Sequence, residues 1–131
     1  MHSQKSKVLV VDDEVSIREL TSLEFRRRGF SIITASNGED AISLAKSEKP
    51  QVIILDLIMP GLHGFEVLRT LRSLPDVNRP VVIVQSAKSY KPDIDKALEM
   101  GADAYVIKPG NSSDLVDLAL KHLDMRKQQN S

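Results

Sequence analysis

Six polar residues stand at or just beyond the ends of short aliphatic runs, and all six are of types that do chemistry. Asp12, Asp13 and Glu14 follow Val8 to Val11, and Asp56 follows Val52 to Leu55. Ser86 lies just past Val81 to Val84, and Lys108 follows Ala104 to Ile107, with Pro109 next. If these runs lie side by side, Asp12, Asp13 and Asp56 converge on one small volume. Two carboxylates about 4 Å apart repel by roughly 4 kcal/mol at an effective dielectric near 20, so the cluster calls for a cation. Oxygen donors without nearby His or Cys suit a hard divalent ion such as Mg2+, held by one or two carboxylates and a phosphate. Lys108 can supply a second positive charge. Taken singly, each residue has a plainer role: acidic residues often begin helices, and Ser86 and Lys108 could be a turn hydroxyl and a solvated amine. Their joint occurrence at several run ends is what points to a site.

The elements that must position these residues can be read from the runs themselves. Val8 to Val11, Phe30 to Ala35, Val52 to Leu55, Val81 to Val84 and Ala104 to Ile107 read as five strands. Four are nearly continuous apolar runs rather than alternating ones, the pattern of parallel strands covered on both faces. Helical spacing fills the intervals: Ile17, Leu20 and Leu23; Ala41, Ile42, Leu44 and Ala45; Val67, Leu68 and Leu71; Ile94, Ala97 and Leu98; Leu115, Leu118 and Ala119. Ser36 with Glu39 resembles a capping box, Gly29 and Gly101 fall where helices should stop, and Pro50 and Pro80 precede strands. Five βα units in succession predict an α/β fold, one doubly wound parallel sheet with right-handed crossovers and strand order 2-1-3-4-5. In such a sheet ligands bind beyond the carboxyl ends of the strands, where the order reverses, and strands one and three are neighbours there.

Composition excludes several other classes. The 131 residues suit one domain, and 41% hydrophobic with 27% charged residues favours neither disorder nor a membrane protein. Eighteen Lys and Arg balance eighteen Asp and Glu, so no global charge draws the chain to nucleic acid or an anionic surface. The absence of cysteine removes disulfides, thiolate metal sites and cysteine nucleophiles. No apolar run nears the roughly 20 residues that cross a bilayer, and residues 1–7 carry no apolar signal core, so a cytoplasmic protein without membrane insertion is expected. The organisation expected is an extension over residues 1–6, a domain over 7–125, and a frayed tail or start of a linker over 126–131. Arg26, Arg27 and Arg28 read as a solvated helix end, and His2, His63 and His122 are too dispersed to form a ligand set.

The motifs Val8-Leu-Val-Val-Asp-Asp-Glu14, Leu55-Asp-Leu-Ile-Met-Pro-Gly61 with Gly64, Val84-Gln-Ser-Ala87, Gly101-Ala-Asp-Ala-Tyr105 and Lys108-Pro109 resemble those of the response-regulator receiver family, the CheY-like phosphoacceptor domains. The resemblance covers about residues 6 to 125 and implies a single flavodoxin-like (βα)5 domain. It further implies that Asp56 accepts a phosphoryl group from a phosphohistidine on a sensor histidine kinase or histidine phosphotransfer protein. Mg2+, or Mn2+ in its place, would bind Asp13 directly, Asp12 mainly through water, Asp56, and the backbone carbonyl of Ile58. Lys108 and Ser86 would each bind a phosphate oxygen, and Lys108-Pro109 would be a cis peptide, which proline alone makes accessible. Tyr105 would act with Ser86 as an aromatic switch, altering the surface of helix four, strand five and helix five for a downstream effector. The chain would catalyse only its own phosphorylation and dephosphorylation, and the domain would not itself bind nucleic acid. Phosphoryl transfer mostly needs alignment and charge neutralisation, which a metal and a lysine provide to a carboxylate nucleophile.

The sequence departs from the commonest family pattern at four places. Ser86 stands where Thr is frequent, keeping the hydroxyl but losing a methyl that restricts the rotamer. Ile58 is apolar beside the acceptor, His63 occupies a position that is often acidic, and Gly110 follows Pro109 where a bulky apolar residue is common. Other readings fare worse. A hydrolase with an aspartyl-phosphate intermediate would want an acid where Ile58 stands. A flavin module needs a hydroxyl- and Gly-rich loop where Asp12, Asp13 and Glu14 would repel the phosphate. A degenerate module that works without phosphorylation would not need the full residue set.

Overall fold

A computed structural model describes residues 6–61, 63–75 and 79–129. Most of the expected N-terminal extension (1–5), with His2, and the last two residues of the expected tail (130–131) lie outside the described residues. The elements alternate as expected: β1 (Lys7–Val11), α1 (Val15–Arg27), β2 (Ser31–Ala35), α2 (Gly38–Glu48), β3 (Val52–Leu55), α3 (Gly64–Ser73), β4 (Val81–Ser86), α4 (Lys91–Glu99), β5 (Ala104–Ile107) and α5 (Ser112–Gln129). All strand pairs are parallel and the order is β2-β1-β3-β4-β5. β1, β3 and β4 are buried almost throughout, as continuous apolar runs require, while β2 and β5 form the partly exposed edges.

Alternation along the strands divides the core in two. Leu9, Val11, Ile53, Leu55, Val82 and Val84 face α2, α3 and α4, packing with Ala41, Ala45, Phe65, Leu68, Leu71 and Ala97. Val8, Val10, Val52, Ile54, Val81 and Ile83 face α1 and α5, meeting Phe25, Leu115, Val116 and Ala119. Each fully buried aliphatic side chain contributes roughly 1.5 to 3 kcal/mol, so both faces of the sheet drive folding.

Local structure corrects the sequence reading at several points. The apolar face expected for α1 is not its buried face: Leu20 is 51% and Leu23 42% exposed, while Thr21, Ser22 and Phe25 point inward. The Ser22 hydroxyl donates to the Arg18 carbonyl at 2.7 Å, which lets a small polar residue be buried there. The cap of α2 lies one residue later than the expected Ser36, since the Asn37 side chain accepts from the Asp40 N–H at 2.8 Å. β2 begins at Ser31, and Phe30 before it is buried edge-to-face on Phe25 with ring centroids 5.3 Å apart. The segment expected to fray after residue 125 is helical through Gln129. Arg126 there donates to both Asp103 oxygens at 2.8 Å and to the Arg79 carbonyl.

Candidate phosphoacceptor site

β1 and β3 are neighbours, and their ends deliver the carboxylates. Asp12 N–H donates to the Ala35 carbonyl and Asp56 N–H to the Val11 carbonyl, both at 3.1 Å, so each residue leaves its strand still held by the sheet. Asp12 and Asp56 are 2% and 3% exposed, whereas Asp13 is open to solvent. Each of the three offers a carboxylate oxygen within 4.8 Å of the others. Their Oδ1 atoms are oriented locally: Asp12 accepts from Glu14 N–H and Asp56 from Ile58 N–H, each at 3.0 Å. The Arg18 guanidinium donates to the Asp12 carbonyl at 2.8 Å and steadies the start of the β1–α1 loop.

Lys108 enters from β5, its N–H donating to the Ser86 carbonyl at 2.8 Å. The following peptide, Lys108–Pro109, is cis. The Lys108 ammonium reaches Asp12 Oδ2 at 2.7 Å, Asp56 Oδ2 at 2.9 Å and Glu14 Oε1 at 3.2 Å. Burial acts to lower the Lys108 pKa, but its bonds and attraction to Asp12 and Asp56 outweigh this and hold it above the ordinary lysine range. For Asp12 the balance runs the other way. Burial raises its pKa, and neither the hydrogen bonds from Lys108 and the Glu14 N–H nor the Lys108 charge fully offsets that. One ammonium faces the carboxylates of Asp12, Asp13, Glu14 and Asp56, so one lysine does not neutralise the cluster. Hard oxygen donors, two of them buried, with a net negative charge are the donor set a small divalent cation takes.

Ser86, the last residue of β4, is fully buried, and its Oγ accepts from Lys88 N–H at 3.3 Å. Tyr105 is half-buried and donates its hydroxyl to the Lys88 carbonyl at 2.7 Å, so that hydroxyl is not simply left in water. Burial raises its pKa above the ordinary phenol value. Ser86 and Tyr105 thus hold the two sides of one residue in the β4–α4 segment.

The β3–α3 segment is shaped by close packing. A Cβ on Gly64 would lie 2.3 Å from the Leu57 carbonyl oxygen, so only glycine fits there. His63 caps α3, its Nδ1 accepting from Phe65 N–H at 3.2 Å, which supplies the acceptor that an acidic residue would otherwise bring. Ile58 is 48% exposed beside Asp56. All the residues singled out by sequence for the phosphoryl and metal chemistry meet at this end of the sheet. Sequence reading missed the contacts of Glu14 to Lys108 and of Arg18 to Asp12, and the part played by the Lys88 backbone. Only Glu14 carried a signal, as the third member of an acidic triplet.

Comparison with known proteins places this geometry in a class. Residues 8–120 match the response regulator receiver domain family, and the chain belongs to it. Domains of this family are signalling switches of two-component systems. The chain is 42% identical over 115 residues to the probable transcriptional regulator ycf27 of Porphyra purpurea, which covers 88% of this chain and 46% of that protein. It thus spans about half the length of the curated relatives it matches. It resembles the signal receiver domain of a putative LuxO repressor protein from Vibrio parahaemolyticus, with TM-score 0.88 and 28% identity over 97% of this chain and 96% of that one. It also resembles the BeF3-activated receiver domain of DrrB from Thermotoga maritima, with TM-score 0.80 and 30% identity over 92% and 99% of the two chains.

Proposed function

We propose that this receiver domain accepts a phosphoryl group on Asp56 from the phosphohistidine of a sensor histidine kinase or histidine phosphotransfer protein in the cytoplasm. The observation that carries the reading is the Lys108 ammonium lying between Asp12 and Asp56 beside a third carboxylate on Asp13. Asp56 is the nucleophile. Lys108 stabilises charge on the transferring group, and the Ser86 hydroxyl turns to a second phosphate oxygen. Asp12, Asp13, Asp56 and the backbone carbonyl of Ile58 would hold Mg2+, which neutralises charge on the phosphoryl oxygens when bound. The domain catalyses only its own phosphorylation and dephosphorylation, and it follows the extension 1–6 and spans 7–125 together with the helical continuation of α5 through Gln129.

The route outward passes through Lys88. When the Ser86 hydroxyl turns to the phosphate, Lys88 N–H loses its acceptor, and Lys88 is then held only through its carbonyl by Tyr105 and can shift with that ring. The surface of α4, β5 and α5 then changes for a downstream effector. Tyr90, Leu98 and Ile107 offer apolar contact on these elements or at their edge, at 68%, 42% and 45% exposure. The domain itself does not bind nucleic acid.

The metal requirement gives a direct test. Phosphorylation should stop in excess EDTA and return with Mg2+ or Mn2+, zinc being unnecessary. Asp13→Ala should abolish metal binding measured by calorimetry. Undiminished transfer in EDTA, or intact metal binding by Asp13→Ala, would contradict the assignment.

A further inference from the structure

An ammonium group has three N–H donors, and three carboxylates crowd the one on Lys108, which donates to Asp56 and Glu14 and pairs with Asp12 at 2.7 Å. A phosphate oxygen that is to bind Lys108 must displace one of these carboxylates. Asp12 and Asp56 are buried, are held to the sheet by their backbone N–H bonds, and lie 2.7 and 2.9 Å from the ammonium, whereas the Glu14 contact is longer at 3.2 Å and its side chain is 58% exposed. Glu14 is the partner that can leave.

Its local role sets the contact apart from helix capping. Glu14 is the N-cap residue of α1, yet its side chain makes no capping bond, and the first turn of α1 contains no other acid. A carboxylate placed there ordinarily serves the helix amides and dipole. Here it crosses to the lysine.

The geometry points to Glu14 as a specificity-determining residue: a placeholder counter-ion that occupies the Lys108 donor in the resting state and repels small anionic phosphodonors at the rim. The inference rests on the reading of Asp56 as phosphoacceptor. In the reaction with acetyl phosphate, an Asp56 oxygen forms the new P–O bond while the acetyl P–O bond breaks. Acetate leaves with the electron pair, and Lys108 keeps its proton. Glu14 takes no part in these bonds. It sets how readily a small dianion reaches them, so a donor delivered by a docked protein, with binding energy of its own, is favoured over free metabolic anions.

The test uses the whole chain with Mg2+ and three probes: acetyl phosphate, phosphoramidate, which carries less negative charge, and beryllofluoride. Glu14→Gln should raise the second-order rate constant for acetyl phosphate about three- to tenfold, the scale of one partly screened unit charge. The gain for phosphoramidate should be smaller. Beryllofluoride should bind Glu14→Gln more tightly by a similar factor. Raising ionic strength should speed acetyl phosphate labelling of the wild type more than that of the variant, since screening removes only repulsion that is present. Equal acetyl phosphate rates and equal beryllofluoride affinities in the two proteins would overturn the role of Glu14. So would a severalfold loss of Mg2+ affinity in Glu14→Gln, which would make Glu14 a metal ligand. If the wild type takes neither acetyl phosphate nor beryllofluoride while Mg2+ is bound, the phosphoacceptor reading falls first, and this inference with it.

Discussion

Lys108 holds together a group of carboxylates that would otherwise separate, and the cost falls mainly on Asp12. Its pKa is raised because burial outweighs the help from Lys108 and the Glu14 N–H. The folded protein therefore binds a proton to Asp12 more readily than the unfolded chain does. That contribution to stability is fully present below the unfolded value of 3.8 and is lost as pH rises through the folded value. At neutral pH without metal, Asp12 is a net burden. Asp12→Asn should accordingly raise the unfolding temperature of the metal-free protein by a few degrees at pH 7, an advantage that shrinks as the pH falls into the range where wild-type Asp12 protonates. Calorimetric melts of both proteins across pH check this, and a lower melting temperature for Asp12→Asn at pH 7 would count against it. The site residues were legible because their chemistry is carried by type and position. Asp12, Asp13, Asp56, Ser86 and Lys108 each follow or end a recognisable strand. The Glu14 and Arg18 contacts were not legible, because long flexible side chains choose partners in space, and spacing along the chain does not encode that choice.

At the scale of elements, strands are more legible than helix faces. β1, β3 and β4 are covered on both sides, and an unbroken aliphatic run of four residues, which each of them contains, fits few places in a folded chain besides such a strand. α1 shows the opposite case. Its leucines at 20 and 23 suggested the core face, but the helix buries Thr21, Ser22 and Phe25 against β1, β2 and α5. Apolar periodicity fails when small polar residues satisfy themselves on the preceding turn, as Ser22 does on Arg18. The consequence is measurable by denaturant unfolding. Phe25→Ala should cost about 3 to 5 kcal/mol, since a fully buried ring in edge contact with Phe30 is lost. Leu23→Ser should change stability by no more than about 0.5 kcal/mol, as expected of a surface position. Comparable losses in the two variants would mean that the helix is turned the other way. The end of α5 was also misread, because a polar run looks like a tail until its arginine finds a partly buried partner. Arg126 and Arg72 both close on Asp103, and burial, only partly offset by Asp103, lowers the Arg72 pKa to about 10. A groove of about 570 Å³ lies beside this junction and is lined by residues that include Ser6, Gln51, Arg79, Asp103 and Arg126, away from the carboxylates at the ends of β1 and β3.

Across the whole molecule, sheet order brings the chemistry together. Placing β3 beside β1 sets Asp56 against Asp12, and placing β4 next sets Ser86 between that pair and Lys108 at the end of β5. Residues far apart in the chain thereby form one site at one edge, while both helical layers serve to hold the strands in place. The central claim is that this site makes Asp56 the phosphoacceptor. Its most direct measurement is mass spectrometry of the intact protein and its peptides after incubation with a phosphohistidine donor or acetyl phosphate in Mg2+, comparing wild type with Asp56→Asn. The account predicts one base-labile phosphoryl group on the wild type, located at Asp56, and none on Asp56→Asn. Labelling of Asp56→Asn at the wild-type rate, or a phosphoryl group mapped to another residue of the wild type, would contradict it.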